Sequence, residues 1–353
     1  MEIYGEIKGI KYKLFLHKPL TRFTLENLDR ALSEKASFIL RVNKDNEFAV
    51  SWWVSPKRTR SYPYARVYDT LGFSGKKVTI IPIIKDEGKD GDRDFLQWDT
   101  ISLMSLLGVY VIVGYYIQAD KNPRYKNKIT NQRFDTEYIK EEIQRLLSYQ
   151  SDALHWNLEQ IDKIPHVADM AFNAYRKISK ELGVEMHSME SAERRIKELH
   201  KGKEEFMELS RKLAHKAQER ESVTVQPKEH LTGIKGMITI KNYLGGYYYF
   251  TCDEVEIHGE DIYLIEGKHT VTGNLPSEGD IKDGLIKMIL FTNLENVKVD
   301  GQEYNPIPVL KLTTNSRFNE NLLSKSKCKL FNLLKEEAKY NGFRIKINDS
   351  FIV

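Results

Sequence analysis

The chain has 353 residues, of which 41% are hydrophobic and 29% are charged. This composition is typical of a protein with a packed core and excludes a disordered chain, and the length allows two or three domains of roughly 100–200 residues each. The net charge of +4 permits a nucleic-acid partner without requiring one. Two distant cysteines, no signal-peptide pattern and no apolar run that could span a membrane predict a cytoplasmic protein.

Residues 1–130 combine aromatic-rich strand patterns with turns and predict an N-terminal α/β domain. The runs that predict strands are FILRV, EFAVSWWV, ARVYDTL, KKVTIIPII and VYVIVGYYI. Between the last two, DFLQWDTISLMSLL has the apolar spacing of a short helix.

One segment of this domain, Ser51–Thr70, alternates basic and aromatic residues around two prolines. Arginine pairs with phosphate or guanine, aromatic rings stack on bases, and a stiff loop loses little entropy on docking. We therefore consider this segment a candidate for DNA recognition, and the alternative is a solvated loop paired with nearby acids. The candidate DNA-binding residues are Lys57, Arg58, Arg60, Tyr62 and Arg66.

An acidic segment, KDEGKDGDRDFLQWD, follows the strand pattern KKVTIIPII. Its carboxylates are Asp86, Glu87, Asp90, Asp92, Asp94 and Asp99. They suggest either a metal site, even a catalytic centre, or ion pairs that shape the Lys57–Arg66 segment for DNA. The spacing does not match a calcium loop and no strand lysine follows these acids at a spacing suited to metal-dependent catalysis, so ion pairing is the favoured hypothesis.

Residues 131–227 change to a helical pattern, with apolar residues three and four apart among many charges. Asp135 is a candidate start of the first helix, and Pro165 and Gly183 divide the region. These charged helices are either a solvated scaffold or coiled-coil-like arm, or candidates for a dimer interface or for a clamp around a DNA duplex. A polar linker, Val223–Gly233, leads into the last region.

Residues 228–353 return to strand patterns and then alternate helix and strand. Three strands are predicted in GMITI, YYYFTCDEVEI and DIYLIEGKHT, with a turn at His258-Gly259. The predicted helix DIKDGLIKMILFTNL is capped by Ser277 or Asp280 and has an apolar stripe. Its Lys282 and Lys287 face either the end of the hairpin or solvent. The strand IPVLKLT, the helix KCKLFNLLKEEAK and the strand FRIKI follow.

The predicted hairpin carries charged residues where its buried strands end. Asp253 follows an aromatic strand, Glu266 lies thirteen positions on, and Lys268 points to the same face as Glu266. Two neighbouring carboxylates repel each other and favour a bound cation such as Mg²⁺, which can polarise a phosphate and activate water. A lysine there can orient the water or stabilise developing charge. The alternative is a surface hairpin with solvated charges.

The pattern D-x(12)-E-G-K on a β-hairpin, followed by helix, strand, helix and strand, resembles the PD-(D/E)XK nuclease core over about Gly236–Val353. The resemblance implies a C-terminal mixed sheet flanked by helices. It further implies that Asp253, Glu266 and the Gly267 carbonyl bind Mg²⁺ and that Lys268 is catalytic.

Two details of this resemblance depart from the usual pattern or stay open. Cys252, not proline, precedes Asp253, and Glu254 or Glu256 is an alternative first acid. His269 is a candidate for DNA contact or for a supporting role behind the site.

These features together predict a Mg²⁺-dependent, sequence-specific endonuclease that resembles a type II restriction enzyme and cuts double-stranded DNA. Two cuts in a palindromic site predict a homodimer, and protection of the host genome predicts a companion DNA methyltransferase. The alternatives are a structure-selective DNA repair or mobile-element nuclease, and a non-catalytic DNA-binding protein.

Overall fold

The computed structural model describes residues 1–57, 60–188, 190–191, 194, 234–242, 247–271, 275–315 and 318–353. The chain divides into two compact units, one formed by Met1–Lys18 with Arg211–Val353 and the other by Pro19–Ser210. This division differs from the predicted boundaries at residues 130 and 227. The α/β class is confirmed, since mixed sheets and helices alternate along the chain. No helix within the described ranges is long and apolar enough to cross a membrane.

The unit Pro19–Ser210 is built on a five-stranded sheet with the order β2-β3-β4-β5-β8. Strands β3 and β4 are antiparallel, and the other neighbours are parallel. In chain order, after β1 (Glu2–Ile7) of the other unit, the elements are β2 (Arg22–Thr24), α1 (Leu28–Glu34), β3 (Ser37–Arg41), β4 (Glu47–Trp52), α2 (Pro63–Leu71), β5 (Lys77–Pro82), β6 (Ile84–Asp86), β7 (Arg93–Phe95), α3 (Trp98–Leu106), β8 (Val109–Gly114), β9 (Tyr116–Lys121), β10 (Ile129–Phe134), α4 (Thr136–Leu147), α5 (Ala153–Asp162) and α6 (Ile164–Leu182).

Two strand predictions in this unit were wrong in detail. The run ARVYDTL lies in helix α2, because Pro63 fixes a helical φ in the first turn and the buried Tyr64, Val67 and Tyr68 recur at helical spacing. The run VYVIVGYYI is divided between β8 and β9 at Tyr115. Arg66 consequently lies on a helix instead of in a loop.

Helix α5 belongs to this unit because its polar side chains cover the outer edge of strand β8. The Trp156 indole donates to the Val111 carbonyl at 2.7 Å, and the Asn157 and Gln160 side-chain oxygens accept from the Val111 and Val113 amides at 2.7 and 3.2 Å. An uncovered strand edge would expose unpaired backbone groups. The helices α4 to α6 are therefore part of the N-terminal unit and not a separate spacer.

The helix boundaries predicted in this region are confirmed. The Asp135 carboxylate caps α4 by accepting from the Tyr138 amide, and Gly183 ends α6 in the left-handed conformation. Pro165 lies in the first turn of α6, where its missing amide proton costs nothing. The later charged stretch from residue 195 and the linker Val223–Gly233 lie outside the described residues.

The second unit contains a nine-stranded sheet with the order β15-β14-β1-β11-β12-β13-β16-β17-β18. Strands β11, β12 and β13 form an antiparallel meander, and β13, β16 and β17 run parallel. The elements are β11 (Ile234–Asn242), β12 (Tyr247–His258), β13 (Asp261–Thr270), α7 (Glu278–Phe291), β14 (Glu295–Val299), β15 (Gln302–Glu303), β16 (Asn305–Thr314), α8 (Lys325–Asn341), β17 (Arg344–Ile347) and β18 (Ser350–Phe351).

The strands and helices predicted after Gly236 are all present in the predicted order, but the structure adds the unpredicted strands β14 and β15 between α7 and β16, and β18 after β17. Both candidate caps act at α7, because the Ser277 hydroxyl accepts from the Asp280 amide and the Asp280 carboxylate accepts from the Ser277 amide. The predicted apolar stripe of α7 is buried. Helix α8 ends at Gly342, whose positive φ closes the last turn.

The first residues of the chain complete this sheet, which the sequence did not predict. Strand β1 inserts between β11 and β14, with Glu2 paired in register with Met237. The following arm is held by the fully buried Glu337 of α8, whose carboxylate accepts from the Tyr12 hydroxyl and the Phe15 amide, both at 2.9 Å. The arm residues therefore belong to the C-terminal unit.

Candidate active site

The strands β12 and β13 separate at the point where the predicted acids lie. Their ladder runs from His258–Asp261 to Glu254–Ile265, and beyond it the Gly267 amide donates to the Asp253 carboxylate at 2.9 Å. On the other side of β12, the pairing with β11 shifts register between Ile234 and Gly236. A bulge of this kind re-aims one side chain of a strand. Here the Asp253 carboxylate, in place of a main-chain carbonyl of β12, accepts the hydrogen bond from β13.

Glu266 and Lys268 are two residues apart on β13 and lie on the same face. One oxygen of Glu266, Oε1, lies 3.0 Å from the Lys268 ammonium. The Glu266 residue is only 1% exposed, so this ion pair is held away from bulk water. The structure therefore brings Asp253, Glu266 and Lys268 together, as the sequence predicted.

Helix α7 adds two charged side chains, Asp283 and Lys287, which are one helical turn apart. The Lys287 ammonium lies 2.5 Å from the second oxygen of Glu266 and 3.1 Å from the Thr251 carbonyl. The Asp283 carboxylate lies 3.0 Å from the Lys268 ammonium. Lys287 was left undecided by the sequence, and Asp283 was missed. The signal that could have found them is their four-residue spacing on the helix that follows the hairpin.

A glycine allows helix α7 to come this close to the strands. A Cβ added at Gly284 would lie 2.8 Å from the Leu310 side chain and 3.3 Å from Cε of Lys268. The lysine stem therefore packs directly under the helix backbone.

The acids of this cluster differ strongly in their proton affinity. Burial raises the pKa of Asp253, and the charge of Glu266 raises it further, to about 7. Burial alone would also raise the pKa of Glu266, but the charges of Lys287 and Lys268 outweigh it and hold this pKa at about 2. Glu266 is therefore ionised at neutral pH, while Asp253 lies near its midpoint.

Both lysines of the cluster remain cations. Burial would lower the pKa of Lys268, yet the charges of Glu266 and Asp283 hold this pKa well above its usual value. The pKa of Lys287 is likewise raised, because Glu266 and Asp253 outweigh the effect of burial. Each lysine can therefore donate hydrogen bonds and stabilise negative charge at neutral pH.

The geometry favours Asp253 over Glu254 and Glu256 as the first acid of the predicted metal-ligand pair. Glu254 is almost fully buried and forms a separate ion pair with Lys311 at 2.8 Å. Glu256 lies 3.1 Å from the His258 ring. Of these three acids, Asp253 is the one that hydrogen-bonds Gly267 next to Glu266.

The cluster is chemically suited to a divalent cation. Three carboxyls, those of Asp253, Glu266 and Asp283, face the two ammonium groups of Lys268 and Lys287, so full ionisation leaves one negative charge in excess. Carboxylate and carbonyl oxygens are the ligands that Mg²⁺ prefers. Within the described ranges no group of three or more His, Cys, Asp or Glu side chains is placed to hold a metal ion. The predicted ligand set contains only two such side chains, with the Gly267 carbonyl as its third member.

The neighbouring His269 lies at the end of β13, half-buried. Its Nδ1 is 2.9 Å from the Thr313 hydroxyl of strand β16. The role in DNA contact or in support of the site stays a prediction.

The basic segment of the other unit is partly turned inward. The Arg66 guanidinium donates to the Trp52 carbonyl at 2.8 Å and lies 4.6 Å from the Trp52 ring centroid, and burial lowers the pKa of Arg66. Lys57 is exposed and Tyr62 is 50% exposed, while Arg58 lies outside the described residues. Lys57 and Tyr62 are therefore more accessible from solvent than Arg66.

The ion pairing predicted between the acidic segment and this basic segment is confirmed. The Arg60 guanidinium contacts Glu87 at 2.8 Å and Asp94 at 3.1 Å, and it also pairs with Asp92. Arg60 therefore holds the segment in place, and its guanidinium is engaged within its own unit.

We expect Glu87→Gln to reduce the free energy of unfolding by about 3 kcal/mol at pH 7. Burial would raise the pKa of Glu87, but Lys85, Lys128 and Arg60 together hold this pKa at about 2. Since the folded-state pKa lies below the ordinary value of 4.5, this stability is present above about pH 4.5 and is lost as the pH falls towards 2. Urea unfolding at pH 7 and pH 3 measures both effects.

The matched control is Glu185→Gln, since Glu185 pairs with Lys89 on the surface. It should change the stability by less than about 1 kcal/mol. Equal effects of the two substitutions would contradict a stabilising role for the Glu87 cluster.

Comparison with known proteins finds no protein similar to this chain. The chain matches no protein-family model, and neither curated proteins nor solved structures show significant similarity to it.

Proposed function

We propose that this chain is a Mg²⁺-dependent DNA endonuclease of the PD-(D/E)XK type. The observation that carries the proposal is the meeting of Asp253, Glu266 and Lys268 where strands β12 and β13 separate. Perturbed carboxyls and lysines that cluster in this way are common at catalytic sites.

The order of elements also supports the proposal. Three antiparallel strands are followed by α7, the parallel strand β16, α8 and the parallel strand β17, with the short strands β14 and β15 inserted between α7 and β16. Apart from this insertion, the succession is the one that the resemblance implies for the nuclease core.

In the proposed reaction, water attacks the phosphorus of a phosphodiester and loses a proton to solvent, one P–O bond to a sugar oxygen breaks, and the departing oxygen takes up a proton from solvent to become a hydroxyl. Asp253, Glu266 and the Gly267 carbonyl would hold Mg²⁺, which when bound polarises the phosphate and lowers the pKa of water. Lys268 stays protonated between Glu266 and Asp283, so it is suited to donate to a phosphate oxygen and stabilise the negative charge that develops there. It is poorly suited to remove a proton from water.

The substrate we propose is double-stranded DNA, cut in a sequence-specific manner as by a type II restriction enzyme. The unit Pro19–Ser210 would supply recognition through exposed residues such as Lys57 and Tyr62. The proposal includes a homodimer, because two cuts in a palindromic site call for two-fold symmetry. It also includes a companion DNA methyltransferase, because the host genome needs protection from cleavage.

The experiment that tests the proposal is incubation of the full chain with unmethylated phage DNA, in Mg²⁺ and in EDTA. Discrete fragments that require Mg²⁺ are the expected result. A Mg²⁺-dependent smear would indicate a structure-selective or non-specific nuclease. DNA that stays uncut but shifts in a gel, independently of Mg²⁺ and with a steep salt dependence, would indicate a non-catalytic DNA-binding protein and overturn the proposal.

A further inference from the structure

We infer that Lys287 is a built-in counter-cation for the predicted metal-ligand pair, standing in for the charge of the divalent ion when that ion is not bound. The inference rests on the proposed function, because it concerns the same carboxylates. It assigns a task to a helix residue that lies outside the D-x(12)-E-G-K pattern.

The two carboxylate oxygens of Glu266 are divided between two ammonium groups. Lys268 contacts Oε1 at 3.0 Å, and Lys287 contacts Oε2 at 2.5 Å. Both oxygens of the most buried acid in the cluster therefore already have a cationic partner. A metal ion that bound this carboxylate would share it with one of these lysines.

Of these two lysines, Lys287 is the one whose charge an incoming ion would replace. Lys268 is shared between Glu266 and Asp283, so it keeps an anionic partner if Glu266 is drawn to an ion. Lys287 forms its ion pair with Glu266, and its other hydrogen bond within the described residues is to the neutral Thr251 carbonyl. The charge of Lys287 is thus committed to the carboxylate that the ion would use.

Lys287 also contacts both strands of the hairpin. By contacting Glu266 of β13 and Thr251 of β12, its ammonium bridges the two strands beside the bulge at Asp253. The side chain is 14% exposed and its ammonium lies 5.7 Å from the Phe250 ring centroid. A buried acid that lost this partner would be left undercompensated.

The consequence is a competition between like charges. A divalent ion at Asp253 and Glu266 would lie close to the Lys287 ammonium, which repels it, so removal of this charge should tighten ion binding. A unit charge a few ångströms away in a partly buried site changes an affinity by on the order of tenfold or more. Removal of the ammonium should also destabilise the ion-free protein and leave the ion-bound protein less affected.

The test compares Lys287→Met with Lys282→Met, both in the full chain and without DNA. Lys282 lies on the same helix and is only 2% exposed, but it pairs with Glu278 at 2.6 Å. Mg²⁺ and Mn²⁺ affinities are measured by calorimetry, and melting temperatures are measured in EDTA and in each ion. Lys287→Met is expected to bind the ions about tenfold more tightly and to gain more in melting temperature from them. Lys282→Met and the charge-preserving Lys287→Arg should match the unmodified protein in ion affinity and in the gain in melting temperature, although loss of the buried Lys282–Glu278 pair lowers the melting temperature itself.

Unchanged or weaker ion binding by Lys287→Met, with clear binding by the unmodified protein, would overturn this inference and leave the proposed function standing. Binding by neither protein would overturn both. If Lys287→Met does not fold in EDTA, Lys287→Gln replaces it, because its amide can still donate to Glu266 while carrying no charge. Tighter ion binding by Lys287→Gln than by the unmodified protein would then support the inference.

Discussion

The Glu266→Gln variant is expected to lose DNA cleavage by a factor of about 10³ or more. Glu266 is the buried acid that joins the predicted metal ligands to Lys268, and a neutral amide would both weaken Mg²⁺ binding and release its two lysines. Initial rates of plasmid or phage DNA cleavage at saturating Mg²⁺ measure the loss. Lys268→Met should cause a comparable loss, because it removes the donor to the phosphate.

The control for this prediction is Glu256→Gln. Glu256 lies on β12 like Asp253, but its partners are His258 and Lys346, away from Glu266. Its substitution should leave cleavage within about threefold of the unmodified protein, a change worth less than 1 kcal/mol. Equal activity of Glu266→Gln and Glu256→Gln would remove the cluster from the reaction.

Asp253→Asn is expected to stabilise the ion-free protein by about 4 kcal/mol at pH 8 and by almost nothing at pH 4. The folded-state pKa of about 7 lies above the ordinary value of 3.8, because Asp253 is buried beside Glu266. Between these pH values the folded protein binds a proton that the unfolded chain releases. The unmodified protein therefore loses stability as the pH rises from about 4 to 7, and an amide at this position avoids that loss.

Urea unfolding in EDTA at the two pH values measures this gain, with the exposed Asp349→Asn as a control. Saturating Mg²⁺ should stabilise the unmodified protein and reduce the difference from Asp253→Asn, because the ion compensates the second carboxylate. A gain in stability that is the same at both pH values would contradict the electrostatic coupling of Asp253 to Glu266.

Much of the C-terminal unit could be predicted because its signals are local. The hairpin from YYYFTCDEVEI to DIYLIEGKHT, the cap at Ser277 and the helix end before Gly342 each depend on a few adjacent residues, and the structure confirms them. The side-chain alternation of a strand also placed Glu266 and Lys268 on one face. The error at ARVYDTL arose because short apolar runs fit both helix and strand, and Pro63 decided for the helix.

The sequence by itself determined the candidate triad of Asp253, Glu266 and Lys268, since strand period and hairpin length are local properties. Only the tertiary structure decided that β1 joins the sheet more than two hundred residues away, and that Asp283 and Lys287 reach the triad. It also decided which residue of the basic segment makes the predicted pairs, since Arg60 contacts Glu87, Asp92 and Asp94. The physical reason is that these contacts depend on packing between segments that are distant in the chain. The local sequence does not determine which of several charged side chains a buried carboxylate will contact.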